Sequence, residues 1–116
     1  MLSNRTGAAP KPRQKGRDVP VIRILSRRVI RPECIETFET LAAELVRCSR
    51  AEPGCLDYTL SRSLEDPRVH IFLECWADSA AIDAHGTTEH FRRIVPQFAA
   101  LTEERSPVER LTDLEV

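Results

Sequence analysis

Residues 55–76 read CLDYTLSRSLEDPRVHIFLECW, two apolar runs separated by turn residues, and this stretch decides the fold. The first run alternates with the period of a half-buried strand, so that one face carries Leu56, Tyr58 and Leu60 and the other carries Cys55. The segment EDPR at 65–68 is typical of a turn, and VHIFLECW beyond it predicts a second strand. The stretch therefore predicts an antiparallel hairpin.

A strand and a helix precede this hairpin. The run VIRILSRRVI at 21–30 is rich in β-branched residues with polar ones between them, which predicts a strand covered on at least one face. Pro32 suits the first turn of a helix, where its missing N–H costs no hydrogen bond. The apolar stripe of that helix consists of Ile35, Phe38, Leu41, Ala42, Leu45 and Val46. The segment AEPG ends the helix, and Gly54 can take the left-handed conformation of a C-terminal cap.

Two helical segments and a last strand are predicted after the hairpin. Asp78 stands at an N-cap position, and Gly86 closes this helix after about two turns. The helix restarts near Thr87 or Thr88, and its buried stripe consists of Phe91, Ile94, Val95, Phe98 and Leu101. Pro96 lies inside that stripe and is expected to kink or shorten the helix. A final strand is predicted through Val108 and Leu111.

The resulting order is β-α-β-β-α-β, which predicts an α+β, ferredoxin-like fold with a four-stranded antiparallel sheet. Helices cover one face of such a sheet. The opposite face keeps several apolar side chains, namely Val21, Leu25, Val29, Val69, Ile71 and Leu73. Because the exposure of these apolar side chains to water is unfavourable, we expect a second copy of the chain to cover this face and form a homodimer.

Composition bounds the domain organisation. A chain of 116 residues is long enough for one core. Residues 1–19 hold five basic side chains against Asp18, a sum of +4, which leaves −5 for the remainder of a chain whose net charge is −1. We predict a disordered basic tail over residues 1–19 and one domain over residues 20–116. An acidic domain argues against a nucleic-acid surface.

The apolar runs and the cysteines bear on location. No run approaches the roughly 18 apolar residues of a membrane helix, and the N-terminus lacks the apolar region of a secretory signal. We therefore expect a cytoplasmic protein without a membrane partner. No C-x-x-C pair occurs, so mostly buried thiols rather than disulfides or a metal site are expected at Cys34, Cys48, Cys55 and Cys75.

Two histidines are candidates for acid–base chemistry. The chain contains no glycine-rich nucleotide loop and no G-x-S-x-G nucleophile turn. His85 and His90 flank the predicted helix break in AHGTTEHF, and either can act as a general base near neutral pH. Alternatively, each simply hydrogen-bonds across the helix junction. On an ideal helix their side chains lie about 140° apart, so no metal site is expected.

The strands carry further candidates. Trp76 and Tyr58 are the only Trp and Tyr, and each either packs in the core or faces a pocket. Whether they share a face depends on the register of the hairpin. Glu74 alternates with Trp76, and a carboxylate near the indole needs an arginine or a substrate group as its partner. His70 is expected at the surface or at an interface.

Three segments together resemble the antibiotic biosynthesis monooxygenase (ABM) family. They are EPGCLDY at 52–58, LECWAD at 73–78 and AAIDAHGTTEHF at 80–91, and the resemblance extends over about residues 20–112. It implies a dimeric ferredoxin-like fold of the α/β-barrel type, with a pocket between the sheet and the helices of each subunit. Relatives include quinol monooxygenases, haem-degrading enzymes and enzymes of small phosphorylated signalling molecules. Haem degradation is not expected, because the only asparagine is Asn4.

The resemblance implies the oxidation of a small phenol or quinol by O2 without metal, flavin or other cofactor. The implied catalytic residues are His85, His90 and Trp76, and the implied substrate-binding residues are Tyr58, Phe72, Glu74 and Phe91. Two alternatives remain: an isomerase or enolising enzyme for a small carbonyl or phosphorylated metabolite, and a non-catalytic small-molecule-binding module. A phosphorylated ligand would need converging arginines, for which Arg23, Arg92 and Arg93 are candidates.

Overall fold

One antiparallel sheet and a layer of helices make up residues 19–116, the part of the chain that the computed structural model describes. The strands are β1 (Ile22–Ile30), β2 (Cys55–Arg62), β3 (Val69–Trp76), β4 (Thr102–Arg105) and β5 (Glu109–Thr112). The helices are α1 (Ile35–Arg50), α2 (Ser79–Gly86), α3 (Glu89–Ile94) and α4 (Phe98–Leu101), with 3-10 turns at Pro32–Cys34 and Val95–Gln97.

The strands pair in the order β2-β3-β1-β4, and β5 extends the same edge of the sheet by pairing with β1. Every pairing is antiparallel. This is the order of a ferredoxin-like α+β fold, so the predicted fold class is confirmed. The sheet of the single subunit is open and does not close into a barrel.

The predicted hairpin is present, but its first strand contains a bulge. Cys55 pairs with Trp76 and Asp57 pairs with Cys75, so Leu56 is an extra residue in β2. The simple alternation of the sequence is therefore wrong at this end. The alternation predicts Cys55 on the other face of the strand from Tyr58. Instead, Cys55 lies in the core beside Tyr58 and is 2% exposed.

The helix boundaries follow the predicted signals. The Asp78 carboxylate caps α2 by accepting a hydrogen bond from the Ala81 N–H at 2.9 Å, and the Thr88 hydroxyl caps α3. Pro96 interrupts the helix as expected, and a 3-10 turn separates α3 from α4. Gly54 does not take a left-handed conformation. Its role is close approach, because a Cβ at this position would collide with the Cβ of Ala81.

The predicted last strand is present as β5, and a further strand that the sequence did not predict precedes it. The structure places this strand, β4, before Pro107 and β5 after it, and Val108 lies in the link rather than in a strand. Proline has no N–H to donate to a sheet, which accounts for the interruption.

The two faces of the sheet differ in chemistry. The inner face packs against the helices, with Ile24, Tyr58 and Phe72 meeting Phe38 and Phe98 in the core. The predicted outer apolar face is confirmed by the register, which sets Leu25 opposite Leu73, Arg27 opposite Ile71, and Val29 opposite Val69.

The expectation for His70 is wrong. It shares the inward phase of Phe72 and is 1% exposed, in edge contact with Phe38 at 5.0 Å. Its Nε2 lies 2.7 Å from Glu39 Oε2 and its Nδ1 lies 3.0 Å from the Arg68 carbonyl oxygen. These two partners explain how a polar ring is accommodated in the core.

Several other expectations concern residues 1–19 and the cysteines. The basic tail lies outside the described residues except for Val19, and the boundary at residue 20 stays a prediction.

None of the helices within residues 19–116 has the length and apolarity required to span a membrane. No disulfide joins the four cysteines, all of which lie in this range, and two of them, Cys55 and Cys75, are buried.

Candidate active site

A cavity of about 500 Å³ lies between the inner face of the sheet and helices α2 to α4. Strands β1 and β3 contribute Ser26, Arg28, Phe72 and Glu74 to its wall. The helices contribute His85, Phe91 and Phe98. Such a cavity, largely apolar with a few polar groups, is typical of a small-molecule site.

Two histidines converge on one carboxylate beside this cavity. Glu52 lies in the turn between α1 and β2, His85 ends α2, and His90 begins α3. Glu52 Oε2 is 2.7 Å from His85 Nδ1 and 2.7 Å from His90 Nε2. The three side chains are 10%, 6% and 15% exposed, respectively, so water screens these contacts little.

The contact with Glu52 fixes the chemistry of His85. An ionised carboxylate only accepts hydrogen bonds, so Nδ1 carries the proton and Nε2 keeps its lone pair. Burial lowers the pKa of His85, although Glu52 acts in the opposite direction. The ring therefore lines the cavity as a neutral imidazole near pH 7, which is the form that can accept a proton.

The separation of 140° between His85 and His90 holds only for one continuous helix, and the predicted break at Gly86 leaves their geometry open. In the structure the chain breaks at Thr87 and Thr88, and both rings turn toward Glu52. One ligand atom from each of the three residues lies within 4.8 Å of the other two, so this cluster could also hold a metal ion.

Glu74 is a second titratable group on the cavity wall. Burial raises its pKa to about 7, and the indole N–H of Trp76 and the phenol of Tyr58 offset part of that effect. The indole Nε1–H donates to Glu74 Oε1 at 2.9 Å. Within residues 19–116 the indole, and not an arginine, is therefore a hydrogen-bond partner of this carboxylate, and a substrate group as a further partner stays a prediction.

The residues predicted for the site form two layers. Phe72, Glu74, His85 and Phe91 line the cavity. Three others lie behind that wall: Trp76, whose ring centroid is 4.5 Å from that of His85, Tyr58, at 5.6 Å from the same ring, and His90. Trp76 and Tyr58 share the inner face with centroids 6.1 Å apart, and burial raises the pKa of Tyr58.

Sequence reasoning missed two site residues, Glu52 and Arg28. Arg28 was hidden in SRRVI, where two adjacent arginines resemble a solvated edge, yet it follows Ile24 and Ser26 in the inward phase. The alternation of inward and outward residues along β1 could therefore have identified Arg28. Of the three arginines proposed for a phosphorylated ligand, none lines this cavity. Arg23 pairs with Asp113, and Arg93 pairs with Glu44 and Glu89. Arg92 lines a neighbouring cavity.

Two known proteins are similar to this chain in sequence. A protein "Uncharacterized protein sll1783" from Synechocystis is 31% identical over 81 residues, which are 70% of this chain and 54% of that protein. The chain thus spans about half of its length. "Putative monooxygenase YcnE" from Bacillus subtilis is 38% identical over 66 residues, which are 57% of this chain and 70% of that protein.

The fold is also shared with solved structures. PA3566 from Pseudomonas aeruginosa superimposes with a TM-score of 0.80 and 31% identity, covering 86% of this chain and all of that chain. The family model described as "Antibiotic biosynthesis monooxygenase" matches residues 20–97, which include the whole Glu52–His85–His90 cluster. By sequence and by fold, the chain belongs to the antibiotic biosynthesis monooxygenase family.

Proposed function

We propose that this chain oxidises a small phenol or quinol with O2 in the cavity, without a cofactor. The observation that carries the proposal is His85, whose Nδ1 is held 2.7 Å from Glu52 on a ring that lines the cavity. Membership of the family supports a monooxygenase.

The first step is removal of the phenolic proton by His85. With Nδ1–H donating to Glu52, Nε2 is the basic atom available to the substrate. The imidazolium that forms is stabilised by the carboxylate of Glu52, as in other carboxylate–histidine pairs. Glu52 is thus a positioning residue, and His90 helps to hold it at 2.7 Å.

Oxygen then reacts with the substrate anion. The phenolate transfers one electron to O2, and the phenoxyl radical and superoxide combine to form a carbon–oxygen bond. The peroxide anion takes the proton back from the His85 imidazolium and becomes a hydroperoxide. Its oxygen–oxygen bond then breaks, the outer oxygen leaves as water with a proton from Glu74, and the hydrogen on the carbon leaves as a proton that restores Glu74, so a carbonyl remains. The substrate therefore supplies all the electrons, one oxygen atom enters the product, and the other leaves in water. Phe72 and Phe91 keep bulk water from the radical pair.

Glu74 fits the role of the acid in the last step. A carboxyl group whose pKa is raised to about 7 is partly protonated at neutral pH and can donate to the leaving oxygen. The indole N–H of Trp76 holds the Glu74 side chain in place. His85 and Glu74 are thus two titratable groups whose environments suit opposite roles.

Oxygen uptake with a panel of hydroquinones and anthrones tests the proposal. His85→Gln should lower kcat/KM by about 100-fold or more, the usual effect of losing a general base. Glu52→Gln should lower it by about 10-fold and move the acid limb of the pH profile to lower pH, since Glu52 raises the pKa of His85. Glu36→Gln, on the exposed side of α1, is the matched control.

Other results would contradict the proposal. Uptake that a chelator abolishes would make the Glu52 cluster a metal site instead. Absence of uptake with every substrate, or full activity of His85→Gln, would remove the role of His85 as the base. The same acid–base pair also suits enolisation of a small carbonyl compound, and exchange of its α-hydrogen in D2O without oxygen would favour that function.

A further inference from the structure

The cavity has a cationic end, and within residues 19–116 no carboxylate forms an ion pair with its arginines. Arg28 and Arg105 line this end, whereas Arg110, which also lines the cavity, is paired with Ile24 at the level of Glu74. Within residues 19–116, none of the three has a carboxylate oxygen within 4.0 Å of its guanidinium. Other arginines of the same range do have such partners, for example Arg68 with Asp66 at 2.9 Å and Arg93 with Glu44 at 2.7 Å.

Arg28 is the most buried of these arginines. It is 6% exposed, its Nη1–H donates to Thr102 Oγ1 at 3.0 Å, and its guanidinium carbon lies 5.3 Å from the centre of the Phe98 ring. A guanidinium has five N–H donors, and Thr102 takes one of them. Burying a charge without an opposite charge costs free energy, so this position is unfavourable for folding alone. Burial lowers the pKa of Arg28 to about 10, in agreement with that cost.

Strand pairing adds a second unfavourable feature. Arg105 on β4 is directly opposite Arg28, and like charges at directly opposite positions destabilise a sheet. On the other side of β1, the residue opposite Arg28 is His70, whose Nε2 is already bound to Glu39. An anion between Arg28 and Arg105 would remove both the burial cost and the repulsion.

We propose that Arg28 and Arg105 bind an anionic group, a carboxylate or a phosphate, carried by the small aromatic substrate. The inference rests on the proposed function only for the identity of the ligand as the substrate. Two carboxylates also line the cavity, Glu74 and Asp83, and neither has an oxygen within 4.0 Å of an Arg28 or Arg105 guanidinium nitrogen. Glu74 is opposite Ile24, four residues along β1 from Arg28, which is roughly 13 Å of strand.

This separation suits an aromatic acid or an aryl phosphate. The long side chain of Arg28 reaches part of the way, and one aromatic ring with its substituents spans the remainder. Such a substrate places its anionic group at the arginines and its hydroxyl group at Glu74 and His85. The arginines thus act in binding and orientation, and not in the chemical step.

Isothermal titration with sodium benzoate, phenyl phosphate and neutral benzamide tests the binding site. Wild type should bind benzoate or phenyl phosphate at least about 10-fold more tightly than benzamide, and which anion binds more tightly identifies the source of the charge. Arg28→Met should lose this preference. Arg47→Gln removes one charge from the exposed face of α1 and should keep it.

A second variant covers a failure of Arg28→Met to fold. Arg105→Gln changes an exposed residue and should weaken anion binding by several-fold. Thermal denaturation provides a further readout, because a bound anion raises the midpoint of wild type and not that of Arg28→Met. Equal affinity of wild type for benzoate, phenyl phosphate and benzamide would overturn the inference.

Oxygen uptake separates this inference from the proposed function. With 2,5-dihydroxybenzoate and hydroquinone as substrates, wild type should favour the acid, and Arg28→Met should remove the preference. Oxidation of both at equal kcat/KM would overturn the anion site and leave the oxidation intact. Tight binding of benzoate without oxygen uptake by either substrate would support the anion site and contradict the oxidation.

Discussion

At the scale of single residues, two acidic side chains of the same site have different partners. Glu52 Oε2 lies 2.7 Å from a ring nitrogen of each of two imidazoles. Glu74 interacts with two donors, the indole N–H of Trp76 and the phenol of Tyr58, yet burial dominates and raises its pKa to about 7. The effect of burial on Glu74 therefore exceeds that of its two hydrogen-bond donors.

The raised pKa of Glu74 predicts a pH dependence of stability. Between the ordinary value of 4.5 and about 7, the unfolded chain loses the proton while the folded chain retains it. The folded state therefore binds more protons, and the free energy of unfolding falls as pH rises through this window. Relative to Glu74→Gln, wild type should lose roughly 2 to 3 kcal/mol between pH 5 and pH 8. Urea denaturation of both proteins at the two pH values measures it.

The comparison with Glu74→Gln isolates this group, because His85 titrates in both proteins. Its lowered pKa acts with the opposite sign and cancels in the difference. Glu36→Gln, at an exposed position, should give the same pH dependence as wild type. A constant difference between wild type and Glu74→Gln at the two pH values would contradict the raised pKa.

At the scale of elements, the site depends on how α2 sits on the start of β2. Gly54 lies just before β2 and directly against Ala81 of α2, with no room for a Cβ between them. His85 lies in the last turn of α2, so any displacement of the helix moves the candidate base relative to Glu52. The geometry of the Glu52–His85–His90 cluster therefore requires the backbone at Gly54 to lie close to α2.

We predict that Gly54→Ala destabilises the fold by about 1 to 3 kcal/mol, the usual cost of overpacking. Ala81→Gly should restore part of this loss in the double variant, because it removes the methyl group that collides. Denaturant unfolding of both single variants and the double variant gives the coupling energy. Gly86→Ala is the control, since a Cβ there meets nothing within 4 Å. Additive effects of Gly54→Ala and Ala81→Gly would contradict the predicted contact.

The elements also separate what the sequence could predict from what it could not. The capping residue Asp78 and the break at Pro96 are local signals, and both are confirmed. The Glu52 cluster is not local: its partners are 33 and 38 residues away, and they meet only because α2 and α3 separate at Thr88. A helical-wheel argument fails there since it has no information on the angle between two helices.

The register of the strands explains the remaining differences between the prediction from the sequence and the structure. Alternation correctly placed Leu25 and Leu73 on the outer face, because β1 and β3 pair without irregularity over eight residues. It failed at Cys55, where one extra residue in β2 shifts every position before it. A bulge depends on the twist and packing of the whole sheet, so the sequence of one strand does not reveal it.

At the scale of the whole molecule, the helices within residues 19–116 pack on the inner face of the sheet and leave its outer face uncovered. Val29 and Val69 are buried, whereas Leu73 is 44% exposed near the middle of the face. Around them lie polar side chains such as Thr59 and Ser61, which form a rim. An apolar centre with a polar rim is typical of a protein–protein interface, and a face that matches itself suits a two-fold dimer.

We therefore expect a homodimer through this face, with a light-scattering mass near twice the subunit mass of 13.2 kDa. Leu73→Arg places a charge at the centre of the interface, where its desolvation is not compensated, and should shift the mass to that of one subunit at micromolar concentration. Leu64→Arg makes the same change in the hairpin turn, at 97% exposure, and should leave the dimer intact. A wild-type mass of one subunit, or a Leu73→Arg protein that remains dimeric, would show that this face is not the interface.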